Sequence, residues 1–483
     1  MAKPFEIPLA DVQKRLALDN PWWLAGGGID AERRGWPRRA YFAPFMDLVR
    51  AVEVPRAVVL IGPRRVGKTV MLAHAVQALL DDGVAGNTIL TVSLDTPLYS
   101  GRSLESLVRT FLELHRHGMD RRLWVFFDEI QYLKDWEVHL KSLVDTFRAV
   151  RFVASGSAAA ALRMKSRESG AGRFTDFMLP PLTFAEYLDF AGREAALIAE
   201  EPAEAGRAPT YRALSLEALN AEFVNYLNYG GFPEAVMNPA VRENPARFLR
   251  QDIVDKVLLK DLPSLYGIGD TQELNRFFNV LAYNTGDELS PEQLSKDTGI
   301  GKQKLLDYLE YLEAAFLIKR VHRVDDTGRR MQRARTFKVY LTNPSIRAAL
   351  FGYVGAQDPA MGALAETAVW SQWLHSTSMI QSLHYARWRQ GRADLEVDLV
   401  SMDIRTLKPR FAVEIKWSDS AYANWSELRG IREFAGKHAL TRRPLVTTLN
   451  RSGIGRDGAL EIEFMPTSLH CYTIARNLLR IAA

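Results

Sequence analysis

Residues 58–72 read VVLIGPRRVGKTVML, and no other stretch narrows the possible folds so far. Val58 to Ile61 form an apolar run suited to a buried strand. A loop then carries Gly62, Gly67, Lys68 and Thr69 in the order G-x-x-x-x-G-K-[ST], and an amphipathic helix over Val70–Leu80 follows. Glycines let such a loop close around phosphate oxygens, with its backbone N–H groups and the helix N-terminus aimed at the negative charge. The reading is a triphosphate site for ATP in which Lys68 reaches the β and γ phosphates and Thr69 holds Mg²⁺. Gly62, Arg65 and Gly67 line the loop.

The strand entering that loop has companions. Between about 52 and 190 the runs VVLIG, TILTVSL, LWVFFDE and RFVASGS alternate with helical stretches, which predicts a parallel α/β sheet whose strands are buried on both faces. LWVFFDE ends in Asp128 and Glu129 beside the phosphate loop. Asp128 is expected to hold Mg²⁺ through water, and Glu129 to polarise the attacking water. RFVASGS ends in Ser155-Gly156-Ser157, and Ser157 is the candidate for a contact with the γ-phosphate.

Along the rest of the chain we expect an N-terminal packing arm (1–50), the nucleotide core (51–195), a helical lid or linker (196–268), a winged helix (269–348) and an α/β tail (349–483). The winged helix follows from helix, turn, helix and hairpin in that order, with Ser290-Pro291-Glu292-Gln293 as an N-terminal capping signal. Lys302 and Lys304 open its second helix, and Arg320, Arg323, Arg329, Arg330, Arg333 and Arg335 crowd its hairpin. That cluster suits sequence-independent contact with a DNA backbone; docking of a protein is the alternative. The net charge of +5 permits a nucleic-acid partner without requiring one. Cys471 is the single cysteine, which excludes an internal disulfide and a cysteine metal cluster. The N-terminus MAKPFEIPLADVQKR lacks an apolar segment of signal type, and no window approaches about 18 uninterrupted apolar residues. The expectation is a cytoplasmic protein with no membrane contact.

GPRRVGKT, FFDEIQ, ASGS, ESGAGRF, LPPLTFAEYL and YLNYGGFPEAV occur in the order seen in a family of bacterial and archaeal AAA-type P-loop ATPases, which the chain resembles over nearly its whole length. That family carries a C-terminal domain of unknown function similar to PD-(D/E)xK, or restriction-endonuclease-like, nucleases. The resemblance implies an AAA-like ATPase core, a helical lid, a winged helix and a nuclease-like α/β tail, acting on DNA as a homo-oligomer. It also marks Arg173 as an arginine finger or sensor.

In the tail, Glu396 and Asp398 of LEVDLV share one strand face, as do Glu414 and Lys416 of VEIK. Two adjacent strands of this kind gather carboxylates and an amine at one edge. Asp398 and Glu414 are then candidates for Mg²⁺ or Mn²⁺, and Lys416 for activating water. Glu366 resembles the acidic residue that completes this set in PD-(D/E)xK folds. Whether the tail cleaves DNA or only binds it stays open at this point. The favoured expectation is an ATPase in DNA repair, recombination or defence, with branched DNA among its candidate substrates. The alternatives are an ATP-dependent signalling switch and a nuclease toxin restrained by its ATPase.

Overall fold

The apolar runs of the first half become strands of one parallel sheet: β1 (Ala57–Ile61), β2 (Ile89–Ser93), β3 (Leu123–Asp128), β4 (Val150–Gly156) and β5 (Phe174–Met178), in the order β2-β3-β4-β1-β5. Every side chain of β1 is buried, as a central strand covered by helices on both faces requires. The helices Lys68–Asp81, Leu104–His115 and Trp136–Thr146 connect these strands. β5 is a strand that the apolar pattern does not predict. It sits at the sheet edge and is half exposed, so FTDFM carries no continuous apolar run. The computed structural model describes residues 7–157, 172–201, 208–325, 327 and 336–482, and the chain divides into two compact units between Leu179 and Pro180.

The opposite edge, β2, is covered by the N-terminal arm. Asn20 accepts from the Thr91 N–H (2.6 Å) and donates to the Thr91 carbonyl (3.0 Å), while Trp22 and Trp23 donate their indole N–H groups to the Ile89 carbonyl (3.1 and 2.8 Å). The edge groups of the sheet are thereby paired by side chains, one of the ways an edge strand is kept from recruiting another chain.

The second unit holds a small hairpin, β6 (Ile198–Glu201) and β7 (Thr210–Ala213), and one mixed nine-stranded sheet. Its strands are β8 (Glu288–Leu289), β9 (Ile318–Val324), β10 (Phe337–Leu341), β11 (Leu383–Gln390), β12 (Ala393–Met402), β13 (Pro409–Glu414), β14 (Leu445–Thr448), β15 (Gly453–Asp457) and β16 (Leu460–Pro466), in the order β15-β16-β14-β13-β12-β11-β9-β10-β8. Helices Thr271–Tyr283, Pro291–Thr298 and Lys302–Ala314 precede β9. Ser290 caps the middle one by accepting from the Gln293 N–H (3.1 Å), and Gly299, at φ +74°, ends it.

The expected boundary at 348/349 falls within this sheet, because β9 pairs in parallel with β11 at Tyr385 and Ala386. Glu288 knits the seam: it accepts from Thr336 (2.8 Å), Tyr385 (2.7 Å) and Arg387 (2.7 Å), and Arg323 lies 3.5 Å away. Burial raises the Glu288 pKa, but these donors and charges outweigh it and leave a net lowering. The segment expected as a lid is part of this unit, where helix Leu216–Tyr229 packs against Ser345–Phe351. Among the described residues no helix is long and apolar enough to cross a membrane.

Candidate nucleotide site and carboxylate cleft

The phosphate loop leaves the C-terminal end of β1, the end of an open parallel sheet at which ligands bind. Gly62 has no room for a side chain, since a Cβ there would meet the Leu179 carbonyl at 2.2 Å. Gly67 holds φ +94° at the start of helix Lys68–Asp81, a conformation costly for any residue with a Cβ. Lys68 is buried and donates to the Gly62 and Pro63 carbonyls (3.0 and 2.7 Å). Its ammonium is thus folded back onto the loop that would cradle the phosphates.

Thr69 Oγ1 donates to Asp128 Oδ2 (2.8 Å), which places hydroxyl and carboxylate together, as a shared Mg²⁺ requires. Ser155 Oγ donates to the other oxygen of Asp128 and accepts from the Glu129 N–H (3.2 Å). Burial, then the adjacent Glu129 charge, push the Asp128 carboxyl above its ordinary pKa, against the hydrogen bonds from Ser155 and Thr69 and the charge of Lys68. A divalent cation would relieve that cost. Glu129 takes the left-handed conformation at φ +55°, and its carboxylate accepts from the Gln131 side chain. Strain of this kind in a non-glycine residue persists where the surroundings impose it, and it collects at functional sites. Ser157 is buried, its N–H donates to Gln131 Oε1 (3.1 Å), and its hydroxyl finds no hydrogen-bond partner among the described residues. Arg65 lies in the loop at φ +64°. The donor set therefore fits ATP and Mg²⁺.

Three contributors lie beyond what the sequence pattern predicts. Ser155, rather than Ser157, is the serine bound to Asp128, and Gln131 orients Glu129. Buried Arg39, from the arm, donates to the Val66 carbonyl (2.7 Å) and fixes the loop from behind. A strand ending S-G-S offers two serines, and only the strand register tells which one faces Asp128. Arg173, the candidate arginine finger or sensor, stands apart from its own chain's phosphate loop. The Ala57 N–H donates to the Arg173 carbonyl (2.9 Å), so Arg173 stands at the start of β5, at the N-terminal end of the sheet, and pairs with Asp145 (2.5 Å). About 13 Å of strand separate that end from the phosphate loop.

In the second unit, helix Met361–Trp373 and strands β10, β12 and β13 bring the tail residues together. Asp398 accepts from the Ile415 N–H (2.7 Å), Lys416 Nζ lies 2.7 Å from Glu414 Oε1, and Tyr340 donates to Glu366 (2.5 Å). The register Leu399↔Val413 sets Asp398 opposite Glu414. Glu366, Asp398, Lys416 and Trp417 line a cleft of about 430 Å³. By sequence, Lys338 counts only as part of the basic hairpin. It is buried, with Nζ 2.5 Å from Glu396, 2.9 Å from Glu366 and 4.0 Å from Asp398. Among the described residues no three His, Cys, Asp or Glu side chains form a set that could hold a metal ion. The expected ligands Glu366, Asp398 and Glu414 are gathered, but Lys338 already holds Glu366 and Lys416 holds Glu414, and they do not fit a divalent metal.

Burial, followed by the charge of Asp398, pushes Glu414 from its ordinary 4.5 to about 8 against Lys416. Burial pushes Glu366 to about 7, with Lys338 opposing and Asp398 adding. The folded state then holds more protons than the unfolded one above pH 4.5, so this contribution to stability is present at acid pH and is lost as pH rises through 7 to 8. The melting midpoint of the second unit is expected to fall between about pH 5 and pH 8.5, and Glu414→Gln to flatten the fall. Thermal scans of both proteins across that range check this, and equal slopes would remove Glu414 as the source.

The four described residues expected at DNA are each engaged by an acid. Lys302 meets Glu292 (2.5 Å), Lys304 meets Glu273, Arg320 meets Glu313 (2.6 Å) and Arg323 meets Glu288 (3.5 Å). Arg329, Arg330, Arg333 and Arg335 lie outside the described residues.

Residues 54–188 match the family model described as an AAA domain, and residues 220–357 match a domain of unknown function, DUF8612. The first therefore carries a P-loop site of AAA type. The second covers much of the segment read as lid and winged helix and ends before the carboxylate strands of the tail. The chain is 24% identical over 303 residues to an uncharacterized protein of Haemophilus influenzae, covering 62% of this chain and 70% of the relative. Two uncharacterized proteins of Methanocaldococcus jannaschii are 23% and 25% identical, over 65% and 54% of this chain and 66% and 55% of their own lengths. C. elegans PCH-2 aligns with a TM-score of 0.30 and 15% identity, over 44% of this chain and 66% of that one. At that score the two chains need not share a fold.

Proposed function

We propose that this protein is a Mg²⁺-dependent ATP hydrolase whose nucleotide cycle acts on DNA through the second unit. The observation that carries the hydrolase is the pre-assembled set of Thr69, Asp128 and Ser155 at the mouth of the phosphate loop, with Glu129 held beside it. On ATP binding, Lys68 exchanges the Gly62 and Pro63 carbonyls for phosphate oxygens. Thr69 and Asp128 would hold Mg²⁺, which would neutralise phosphate charge. Glu129, oriented by Gln131, takes the proton of the attacking water. Release of inorganic phosphate by the purified chain tests this. Lys68→Ala is expected to lose ATP binding and turnover together, and turnover at the wild-type rate in that variant would refute the site.

The DNA reading rests on the basic segment 329–335 and on the helix–helix–hairpin order before it, which suits a winged helix. In a homo-oligomer, Arg173 would serve a neighbour's nucleotide, a reading supported by its distance along the sheet from its own phosphate loop. A second reading, protein docking, is favoured by the acid partners of Lys302, Lys304, Arg320 and Arg323. Salt titration separates the two. Replacing Arg329, Arg330, Arg333 and Arg335 with Ala should weaken DNA binding for all sequences alike and flatten its salt dependence. An unchanged slope assigns the segment to protein contact.

A further inference from the structure

Carboxylate clefts on sheets are commonly read as metal sites, and the tail has the residues for one. The position between the carboxylates, however, is taken by the chain itself. Lys338, on β10, reaches past the ring of Tyr385 on β11 (Nζ 5.5 Å from the centroid) to Glu396 and Asp398 on β12 and to Glu366 on helix Met361–Trp373. Its ammonium is buried, and Tyr340 Oη shares the same Glu366 oxygen.

We propose that the Lys338 ammonium, buried behind the cleft wall, is the resident cation of the Glu366, Glu396 and Asp398 cluster, so that no divalent metal binds there and the cleft does not hydrolyse phosphodiesters. The proposal is independent of the ATPase reading, since it concerns the second unit alone.

Three features carry it. The ammonium contacts Glu366 and Glu396 and lies 4.0 Å from Asp398, carboxylates of two elements, and an ammonium so placed repels a second cation. It cannot swing away cheaply, because leaving would take the ammonium partner from buried Glu366 and leave Glu396 with Arg387 alone, 3.7 Å away. The remaining carboxylate of the set, Glu414, is already paired with Lys416, and its second oxygen is buried with no hydrogen-bond partner among the described residues. A metal at Glu414 would satisfy that oxygen only by adding charge beside Lys416.

The test is Mn²⁺ binding to the full chain without nucleotide, read as loss of the free-ion signal in electron paramagnetic resonance. Wild type and Asp398→Asn should bind the same number of ions, because Asp398 holds none. An ion bound by wild type and lost in Asp398→Asn overturns the proposal. Lys338→Met should gain one Mn²⁺ per chain, and the double variant Lys338→Met with Asp398→Asn should lose it again. A folded Lys338→Met that gains no ion overturns the proposal as well. Should Lys338→Met fail to fold, the comparison of wild type with Asp398→Asn decides alone. Weak Mn²⁺ binding at Thr69 and Asp128 is common to every variant and cancels. Failure of the ATPase reading would appear instead as wild-type phosphate release in Lys68→Ala.

Discussion

Glu129→Gln is expected to bind ATP with wild-type affinity and to hydrolyse it about 10²- to 10⁴-fold more slowly, the range that general-base groups contribute. Glutamine keeps the shape of the side chain and can still pair with Gln131, but it cannot take a proton from water. The backbone of Glu129 is fixed independently of its side chain: its N–H is held by Ser155, and its carbonyl accepts from the Tyr132 N–H (3.1 Å). The substitution therefore removes chemistry without moving the loop. Equilibrium binding of a fluorescent ATP analogue and single-turnover phosphate release distinguish the two steps. Turnover within a factor of two of wild type would move the water-activating role to another residue.

The second large effect concerns packing. Gly430, on helix Arg429–Lys437, lies against β12 so closely that a Cβ would stand 2.1 Å from the Glu396 carbonyl oxygen and 3.2 Å from the Glu396 nitrogen. The obstacle is backbone on both sides, so Gly430→Ala must push the helix away from the sheet and open the contacts of Ile431 and Phe434, both fully buried. Overpacking of this kind costs about 3 kcal/mol. The second unit should melt lower by about 5 °C. Gly436→Ala on the same helix meets nothing within 4 Å and is expected to raise stability by up to about 1 kcal/mol through helix propensity. Calorimetry of the pair checks the argument internally: equal shifts would show that close approach at Gly430 is not limiting.

Much of the first unit is legible in the amino-acid order alone, because a parallel sheet writes its central strands as unbroken apolar runs and a phosphate loop writes its glycines at fixed offsets. β5 is not, since an edge strand with one wet face shows neither signal. Asp128 and Glu129 can be read from their place at the end of LWVFFDE. Arg39 cannot, because nothing local ties an arm residue to a carbonyl 27 positions later. In the second unit, alternation puts Glu396 and Asp398 on one face correctly. Lys338 looks in the sequence like one more cation in a basic hairpin, since only the folded sheet shows its side chain reaching past Tyr385 to Glu396. Charge composition around a residue says little about which acids it will meet once a sheet has closed.

The seam between β9 and β11 is one of three junctions, with β13–β14 and β8–β10, at which the large sheet pairs over two residues. Backbone pairing there is confined to Tyr385 and Ala386, while β11 and β12 pair along nearly their whole length. Ion pairs also span the seam, Glu288 with Arg387 and Lys338 with Glu396, beside the Tyr385 hydroxyl on Glu288 and the packing of Val324 against Ala386 and Val397. A crease stitched by ion pairs responds to solvent in a way that a hydrogen-bonded ladder does not. Opening this seam must part Lys338 and Arg387 from their carboxylates as well as break a two-residue ladder, so the force required should fall as ionic strength rises, and only modestly, because these pairs are buried or partly buried.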